Sequence, residues 1–203
     1  MRKIPTVFER VYRNHKIVDI KPEFTSMKCA TAFFFGRPTI KFDGSCCAVI
    51  GGKFYKRYDA KKGKSIPENA IKCQPLPDPI TGHMPCWVPV DKNNPADKWF
   101  IAAYGPEKHV YSDGTYEAIG EHFQGNPYEF DYDSLLLHGS FTAPDFNPPM
   151  SVKNITPDIC GDALRYTREY LETLPHEGIV FWLNDEPVCK IKRSDFGFDW
   201  PLK

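Results

Sequence analysis

A lysine followed by a short acidic turn, Lys41-Phe42-Asp43-Gly44, is the first feature with evident chemical potential. A lysine attacks as a nucleophile only after losing its proton, and the pKa of a free lysine is about 10.4. Neighbouring cations lower that pKa. Gly44 allows the backbone to turn tightly and to approach a ligand closely. The four residues alone are a common pattern, so their weight depends on the charged residues elsewhere in the chain.

A hairpin near the end of the chain supplies a second group of charges. Residues 178–183 are apolar and predict a buried strand, the Asn184-Asp185 pair predicts a turn, and residues 187–192 predict the return strand. With a two-residue loop, Glu177 pairs with Lys192.

The same register places Ile179 opposite Lys190, so Glu177, Lys190 and Lys192 project from one face of the hairpin. Burying three charges without partners is costly, which makes a structural role in the core a poor explanation. A carboxylate beside two ammonium groups predicts a site for phosphate and metal. The alternative is an exposed face with salt bridges.

Other segments must position these charges. Residues 45–50 predict a strand, Gly51-Gly52 a hairpin turn, and residues 53–59 the return strand. Residues 66–97 contain many prolines and predict a long ordered loop. Further strands are predicted around residues 116–119 and within 134–141, whereas the first 35 residues show no clear pattern.

One helix is predicted after residue 156. Thr156 is suited to the N-cap, Pro157 to the first helical position, and Pro175 ends the helix. Its core-facing stripe consists of Ile159, Ala163, Tyr166, Tyr170 and Leu174.

Composition sets the broad class. The 203 residues predict a single domain, residues 1–203, and the 19 prolines and 14 glycines favour a β or mixed α/β fold. A formal net charge of +0 means that any phosphate site must come from local clusters, such as residues 53–64.

The seven cysteines contain no Cys-x-x-Cys pair, and the sequence shows no secretory signal or long apolar segment. We therefore expect free thiols, a cytoplasmic location and no membrane association. Cys73, His83 and Cys86 are candidates for part of a zinc site, although core or surface thiols are the favoured interpretation.

Four motifs occur in a fixed order, and together they resemble those of the covalent nucleotidyltransferases, which include ATP-dependent ligases and capping enzymes. The motifs are Lys41-x-Asp-Gly44, Glu117-Ala-Ile-Gly120, Glu177-Gly-Ile-Val180 and Lys190-x-Lys192. A closer resemblance is to the vertebrate-type 5′-to-3′ RNA ligases, a family of ATP-dependent RNA repair enzymes. The stretches that carry it are residues 41–47, 82–90, 117–120, 125–128, 138–141, 177–180 and 190–201.

The resemblance implies an α/β (α+β) nucleotidyltransferase domain with antiparallel sheets flanked by helices and no OB domain. It also implies a role for each site residue. The catalytic residues are Lys41 as nucleophile, Glu177 as metal ligand and partner of Lys41, and Lys190 and Lys192 on the α-phosphate. The nucleotide-binding residues further include Glu117 on the ribose, Arg57 on the nucleotide or the 5′-phosphate, Phe141 stacked on adenine, and the backbone of Ile40 at the adenine edge.

The implied reaction has three steps and uses ATP with Mg²⁺ or Mn²⁺. Lys41 takes up AMP, the AMP passes to the 5′-phosphate of an RNA strand, and a 3′-hydroxyl displaces it. We expect a monomer. One alternative is a DNA ligase or another nucleic-acid adenylyltransferase, which would share every nucleotide-site residue. A second is a non-catalytic nucleic-acid-binding domain of the same fold.

Overall fold

The computed structural model describes residues 2–14, 16–79, 81–105, 111–149 and 156–202, which fold into two compact units. Unit 1 comprises residues 1–3 and 43–138, and unit 2 comprises residues 4–42 and 139–203. Within these described ranges the strands of every sheet pair antiparallel and helices are few, which confirms the predicted α/β class. Among the described residues, no helix is long and apolar enough to cross a membrane.

Unit 1 is built on a six-stranded sheet with the strand order β6-β7-β5-β4-β8-β9. The strands are β4 (Ser45–Ile50), β5 (Lys53–Ala60), β6 (Ile71–Lys72), β7 (Met84–Pro89), β8 (Gly114–Ile119) and β9 (Ser134–Leu137). Side chains of Cys47, Phe54 and Tyr116 pack from one face of this sheet against helix α2 (Lys98–Tyr104). Because side chains alternate along a strand, the neighbouring residues occupy the opposite face.

Unit 2 contains a three-stranded sheet with the order β11-β10-β3 and a separate two-stranded sheet. The elements are β1 (Phe8–Arg13), β2 (Lys16–Phe24), α1 (Met27–Phe35), β3 (Arg37–Lys41), α3 (Pro157–Thr173), β10 (Gly178–Leu183) and β11 (Glu186–Lys192). The core contains Ile179 and Ile191 from the sheet, Phe33 from α1 and Leu171 from α3. One face of the three-stranded sheet therefore packs against α1 and α3 in the core.

Several local predictions are confirmed. Gly51 and Gly52 have φ of +57° and +70° and form the turn between β4 and β5, where the Asp113 carboxylate accepts both of their N–H groups. Helix α3 begins at Pro157, and the Thr156 side chain accepts the N–H of Ile159 at 3.4 Å. The seven cysteines, all within the described residues, form no disulfide.

The predicted loop over residues 66–97 is wrong, because it contains β6 and β7. The strand β7 was not predicted because Pro85 and Pro89 suggested a loop. The carbonyl of Pro85 accepts the N–H of Cys73, so residue 85 directs its polar groups towards β6 and away from β5. β6 is a two-residue edge strand, and a missing proline N–H is tolerated on that side.

Two further boundaries differ. The predicted strand within 134–141 ends at Leu137, since Gly139 has a φ of +82° and the chain enters unit 2 there. The predicted stripe of α3 is confirmed at Ala163 and at Leu174, which follows the helix, and Tyr166 and Tyr170 are partly buried against the core. The other buried side chains, Cys160, Thr167 and Leu171, each lie one residue beyond a predicted position. Tyr170 lies at the edge of that face and donates its hydroxyl to the carbonyl of Pro144 at 2.6 Å.

Candidate functional site

Lys41 is the last residue of β3 and lies in a row of paired residues across the unit 2 sheet. Gly178 pairs with Lys41 on one side and with Lys192 on the other. A Cβ at Gly178 would lie 2.1 Å from the carbonyl oxygen of Ile191, so the position requires glycine. The row therefore carries one lysine side chain on each side of a glycine, which has no side chain.

Glu177, which immediately precedes β10, joins the two lysines. Its carboxylate accepts a hydrogen bond from Nζ of Lys41 and another, at 2.7 Å, from Nζ of Lys192. Glu177 is 6% exposed. Burial alone raises the pKa of this carboxyl, but the charges of Lys41 and Lys192 outweigh it and hold the pKa below its usual value. The group is therefore an anion at neutral pH.

Lys190 adds a third ammonium group to the same sheet face. It pairs with Val180 in β10, two residues from Lys192 along β11. Burial, followed by the nearby charges of Lys41 and Lys192, lowers the pKa of Lys190 to about 8. With one carboxylate among three lysines, the cluster is positive and suited to an anion such as a phosphate.

The predicted register of the last hairpin is wrong, although the predicted cluster is present. Pairing is as expected near the turn, but a register shift between Phe181 and Trp182 moves the rest by one residue. The observed partners are Gly178 with Lys192 and Val180 with Lys190. Glu177 reaches Lys192 because it lies just beyond the strand and is not held to the alternation of side chains.

An aromatic group lies beside this face in unit 2. The ring of Phe141 is 5.3 Å from that of Phe42, which in turn is 5.3 Å from the ring of His176. Burial lowers the pKa of His176. Phe141 is 46% exposed, so its ring is accessible, and its adenine role stays a prediction. The N–H of Ile40 is donated to the carbonyl of Phe141, which leaves that N–H unable to serve a ligand.

Unit 1 holds the other two predicted residues, Arg57 and Glu117, on the sheet face opposite α2. The pairing of β5, β4 and β8 places Arg57, Cys46 and Glu117 in one row. The guanidinium of Arg57 lies 5.6 Å from the centroid of the Trp87 ring and donates to Asp59 at 2.7 Å. A planar cation is thus held over the sheet in a defined orientation.

Both oxygens of Glu117 have partners within unit 1. Oε1 accepts the N–H of Gly44 at 3.1 Å, and Oε2 lies 2.8 Å from Nε2 of His138. Nδ1 of His138 lies 3.0 Å from Oγ1 of Thr115. A Cβ at Gly44 would lie 2.2 Å from the carbonyl oxygen of Ala118, so glycine is needed here for close contact with β8.

Cys46 and His138 were not predicted as site residues. Among the described residues, the group with metal-ligating atoms within 4.8 Å of one another is Cys46, Glu117 and His138. The predicted zinc candidates Cys73, His83 and Cys86 form no such group in that part of the chain. Burial, and secondly the charge of Glu117, raises the pKa of the Cys46 thiol to about 12.

The chain is similar to curated proteins that share one name. It is 25% identical to RNA ligase 1 of Pongo abelii and 26% identical to RNA ligase 1 of Rattus norvegicus and of Mus musculus. In each case the similarity covers 99% of this chain and 82% of the relative. No model of a known protein family matches the chain.

Proposed function

We propose that this protein is an ATP-dependent RNA ligase that joins 5′-phosphate and 3′-hydroxyl ends through an adenylate carried on Lys41. The observation that carries the proposal is the amine of Lys41 hydrogen-bonded to the buried carboxylate of Glu177, with Lys190 and Lys192 on the same sheet face. Similarity to proteins named RNA ligase 1 along 99% of the chain supports the choice of RNA as substrate.

In the first step, Nζ of Lys41 gives up a proton to solvent and attacks the α-phosphorus of ATP. A nitrogen–phosphorus bond forms, the bond to the β-phosphate oxygen breaks, and pyrophosphate leaves. Glu177 holds the attacking nitrogen in place through their hydrogen bond, which removes the entropic cost of orienting it. Lys190 and Lys192 offer fixed positive charges for the oxygens of the α-phosphate as charge develops on them.

In the second step, an oxygen of the RNA 5′-phosphate attacks the same phosphorus atom, displaces Lys41 and takes the AMP, which restores the free amine. In the third step, the 3′-hydroxyl of the other end attacks the 5′-phosphorus, and AMP leaves. Each step places negative charge on non-bridging phosphate oxygens, so one set of lysines serves all three.

A divalent ion fits the donor set in part. The carboxylate of Glu177 is the hard oxygen ligand that suits Mg²⁺ or Mn²⁺, while phosphate and water would complete the coordination. Bound there, such an ion would neutralise charge on the leaving pyrophosphate. In unit 1, we propose that Glu117 binds the ribose and that Arg57 binds nucleotide or 5′-phosphate. Sealing of RNA in a reducing, cytoplasmic setting agrees with the free thiols.

The test is a sealing assay with ATP and Mg²⁺ on two substrates, RNA with 5′-phosphate and 3′-hydroxyl ends and nicked duplex DNA. We expect RNA to be joined and Lys41→Ala to abolish joining, while Lys28→Ala, an exposed lysine of α1, leaves it intact. Robust sealing of DNA without RNA sealing would favour the DNA ligase. Absence of both, with no covalent adenylate, would favour a binding domain.

A further inference from the structure

The unit 1 sheet carries a group of side chains that the ligase reaction does not use as a set. Cys46 in β4 pairs directly with Glu117 in β8, and His138 follows β9 with its backbone N–H bonded to Thr115. The Sγ, carboxylate and imidazole atoms lie within 4.8 Å of one another. All three residues are partly exposed.

We infer that Cys46, Glu117 and His138 form a three-ligand binding site for Zn²⁺ or a similar borderline transition-metal ion. In a tetrahedral site the bond lengths of Zn²⁺ to sulfur, nitrogen and oxygen place ligand atoms about 3.4–3.6 Å apart. The observed separations reach at most 4.8 Å, and Nε2 of His138 lies 2.8 Å from Oε2 of Glu117, so the side chains must adjust by about an ångström to hold the ion. Three protein ligands leave the fourth position for water or another ligand.

The surroundings of His138 fit a metal ligand. Metal-binding histidines generally donate the other ring N–H to an oxygen that fixes the ring orientation. Thr115 Oγ1 stands 3.0 Å from Nδ1 of His138, which leaves Nε2 directed at Glu117. Gly44 likewise donates to Oε1 of Glu117, so that Oε2 is the oxygen turned towards the imidazole.

The donor set selects the metal. Thiol and imidazole ligands suit Zn²⁺ and poorly suit Mg²⁺ or Ca²⁺, which prefer oxygen. Binding requires the thiol of Cys46 to give up its proton to solvent, so an ion that bonds strongly to thiolate is favoured. This site is therefore separate in chemistry from the Mg²⁺ proposed at Glu177.

One consequence rests on the proposed function. If Glu117 binds the ribose of ATP, then Zn²⁺ and nucleotide compete for the same carboxylate. Zn²⁺ should then inhibit formation of the lysyl adenylate in the wild-type protein, and Cys46→Ser should be resistant. In that case the site would make the ligase sensitive to free Zn²⁺.

The direct test is a titration of the reduced protein with Co²⁺, without ATP. Thiolate coordination gives a ligand-to-metal charge-transfer band, and added Zn²⁺ should bleach it at one equivalent. We expect Cys46→Ser to abolish the band and His138→Gln to weaken Co²⁺ binding at least tenfold. The matched controls Cys73→Ser, the other partly exposed cysteine, and His122→Gln should behave as wild type.

A more conservative variant tests the site without disturbing the fold. Thr115→Val keeps the shape but removes the hydroxyl beside Nδ1 of His138, and it should weaken binding about ten- to a hundredfold while keeping the band. No charge-transfer band in the wild type, or a band that survives Cys46→Ser, would overturn the site. Co²⁺ binding in a chain that never forms an adenylate would instead refute the ligase alone.

Discussion

Replacing Glu177 by glutamine tests the charged cluster of unit 2 most severely. The carboxylate accepts hydrogen bonds from two ammonium groups, and hydrogen bonds to charged groups contribute about 1.5–3 kcal/mol each. Removing one member of a buried ion pair costs about 3–5 kcal/mol. The side chains of Lys41 and Lys192 are 21% and 30% exposed, so water recovers part of that loss. We expect Glu177→Gln to lower the free energy of unfolding by about 2–3 kcal/mol.

For a chain of this length each kcal/mol changes Tm by about 2–4 °C, so Tm should fall by roughly 5–10 °C in calorimetry at neutral pH. The matched control is Glu169→Gln, an exposed residue of α3, which should change the free energy of unfolding by less than about 0.5 kcal/mol. Adding Lys192→Met to Glu177→Gln should recover stability, since one of three clustered cations is removed. Equal Tm values for Glu177→Gln and Glu169→Gln would refute the reasoning. A double variant whose loss of stability is the sum of the losses in Glu177→Gln and Lys192→Met would refute it as well.

The same pair of proteins makes a prediction about pH. Because the folded pKa of Glu177 lies below its unfolded value, the unfolded chain binds more protons as pH falls. The stability gap between wild type and Glu177→Gln should be full above about pH 4.5 and should close as acid protonates Glu177. A gap that widens on acidification would contradict the assigned direction of the shift.

The affinity of the protein for α,β-methylene ATP should fall above pH 8 by up to about tenfold per pH unit, because the amine of Lys190 loses its proton there. Isothermal titration calorimetry measures this affinity. Lys190→Arg keeps its charge and should flatten the dependence, whereas an unchanged slope would exclude Lys190 as the titrating group. Gly178→Ala should destabilise the protein by about 1–3 kcal/mol in urea unfolding, because its Cβ meets the Ile191 carbonyl oxygen at 2.1 Å. Gly161→Ala, in α3 with open space around the new Cβ, should instead stabilise by about 0.5–1 kcal/mol, and equal effects at both glycines would contradict the packing argument.

Local signals in the sequence predicted those parts of the fold in which neighbouring residues decide the structure. The Gly51-Gly52 turn and its two strands are confirmed, as is the start of α3 at Pro157. The strand β7 was missed because its prolines suggest a loop, and their tolerance depends on the short partner β6. That pairing is a long-range property of the sheet.

The candidate site was also predicted in part from the sequence. Three of the four motifs predicted Lys41, Glu177, Lys190 and Lys192, and unit 2 brings these residues together. The register shift after Phe181 could not be seen in the sequence, because nothing in its local pattern marks the extra residue. The roles of Arg57, Glu117, Phe141 and Ile40, and the assignment of residues 1–203 to one domain, stay predictions.

The grouping of Cys46, Glu117 and His138 could not be predicted either. These residues come from three strands or strand ends that are far apart in the sequence, and only the pairing of β4, β8 and β9 makes them neighbours. The spacing rules for metal ligands depend on residues within one turn or helix. A prediction of strand order and register would have been required first.

The most direct measurement is the location of the adenylyl group after incubation of the protein with ATP and Mg²⁺. Intact-mass and peptide mass spectrometry should show one added AMP on the peptide that contains Lys41, stable to denaturation and released by acid. Lys41→Ala should remain unmodified, whereas Lys28→Ala should be modified like the wild type. An AMP found on another residue, or no covalent adenylate in active protein, would contradict the account.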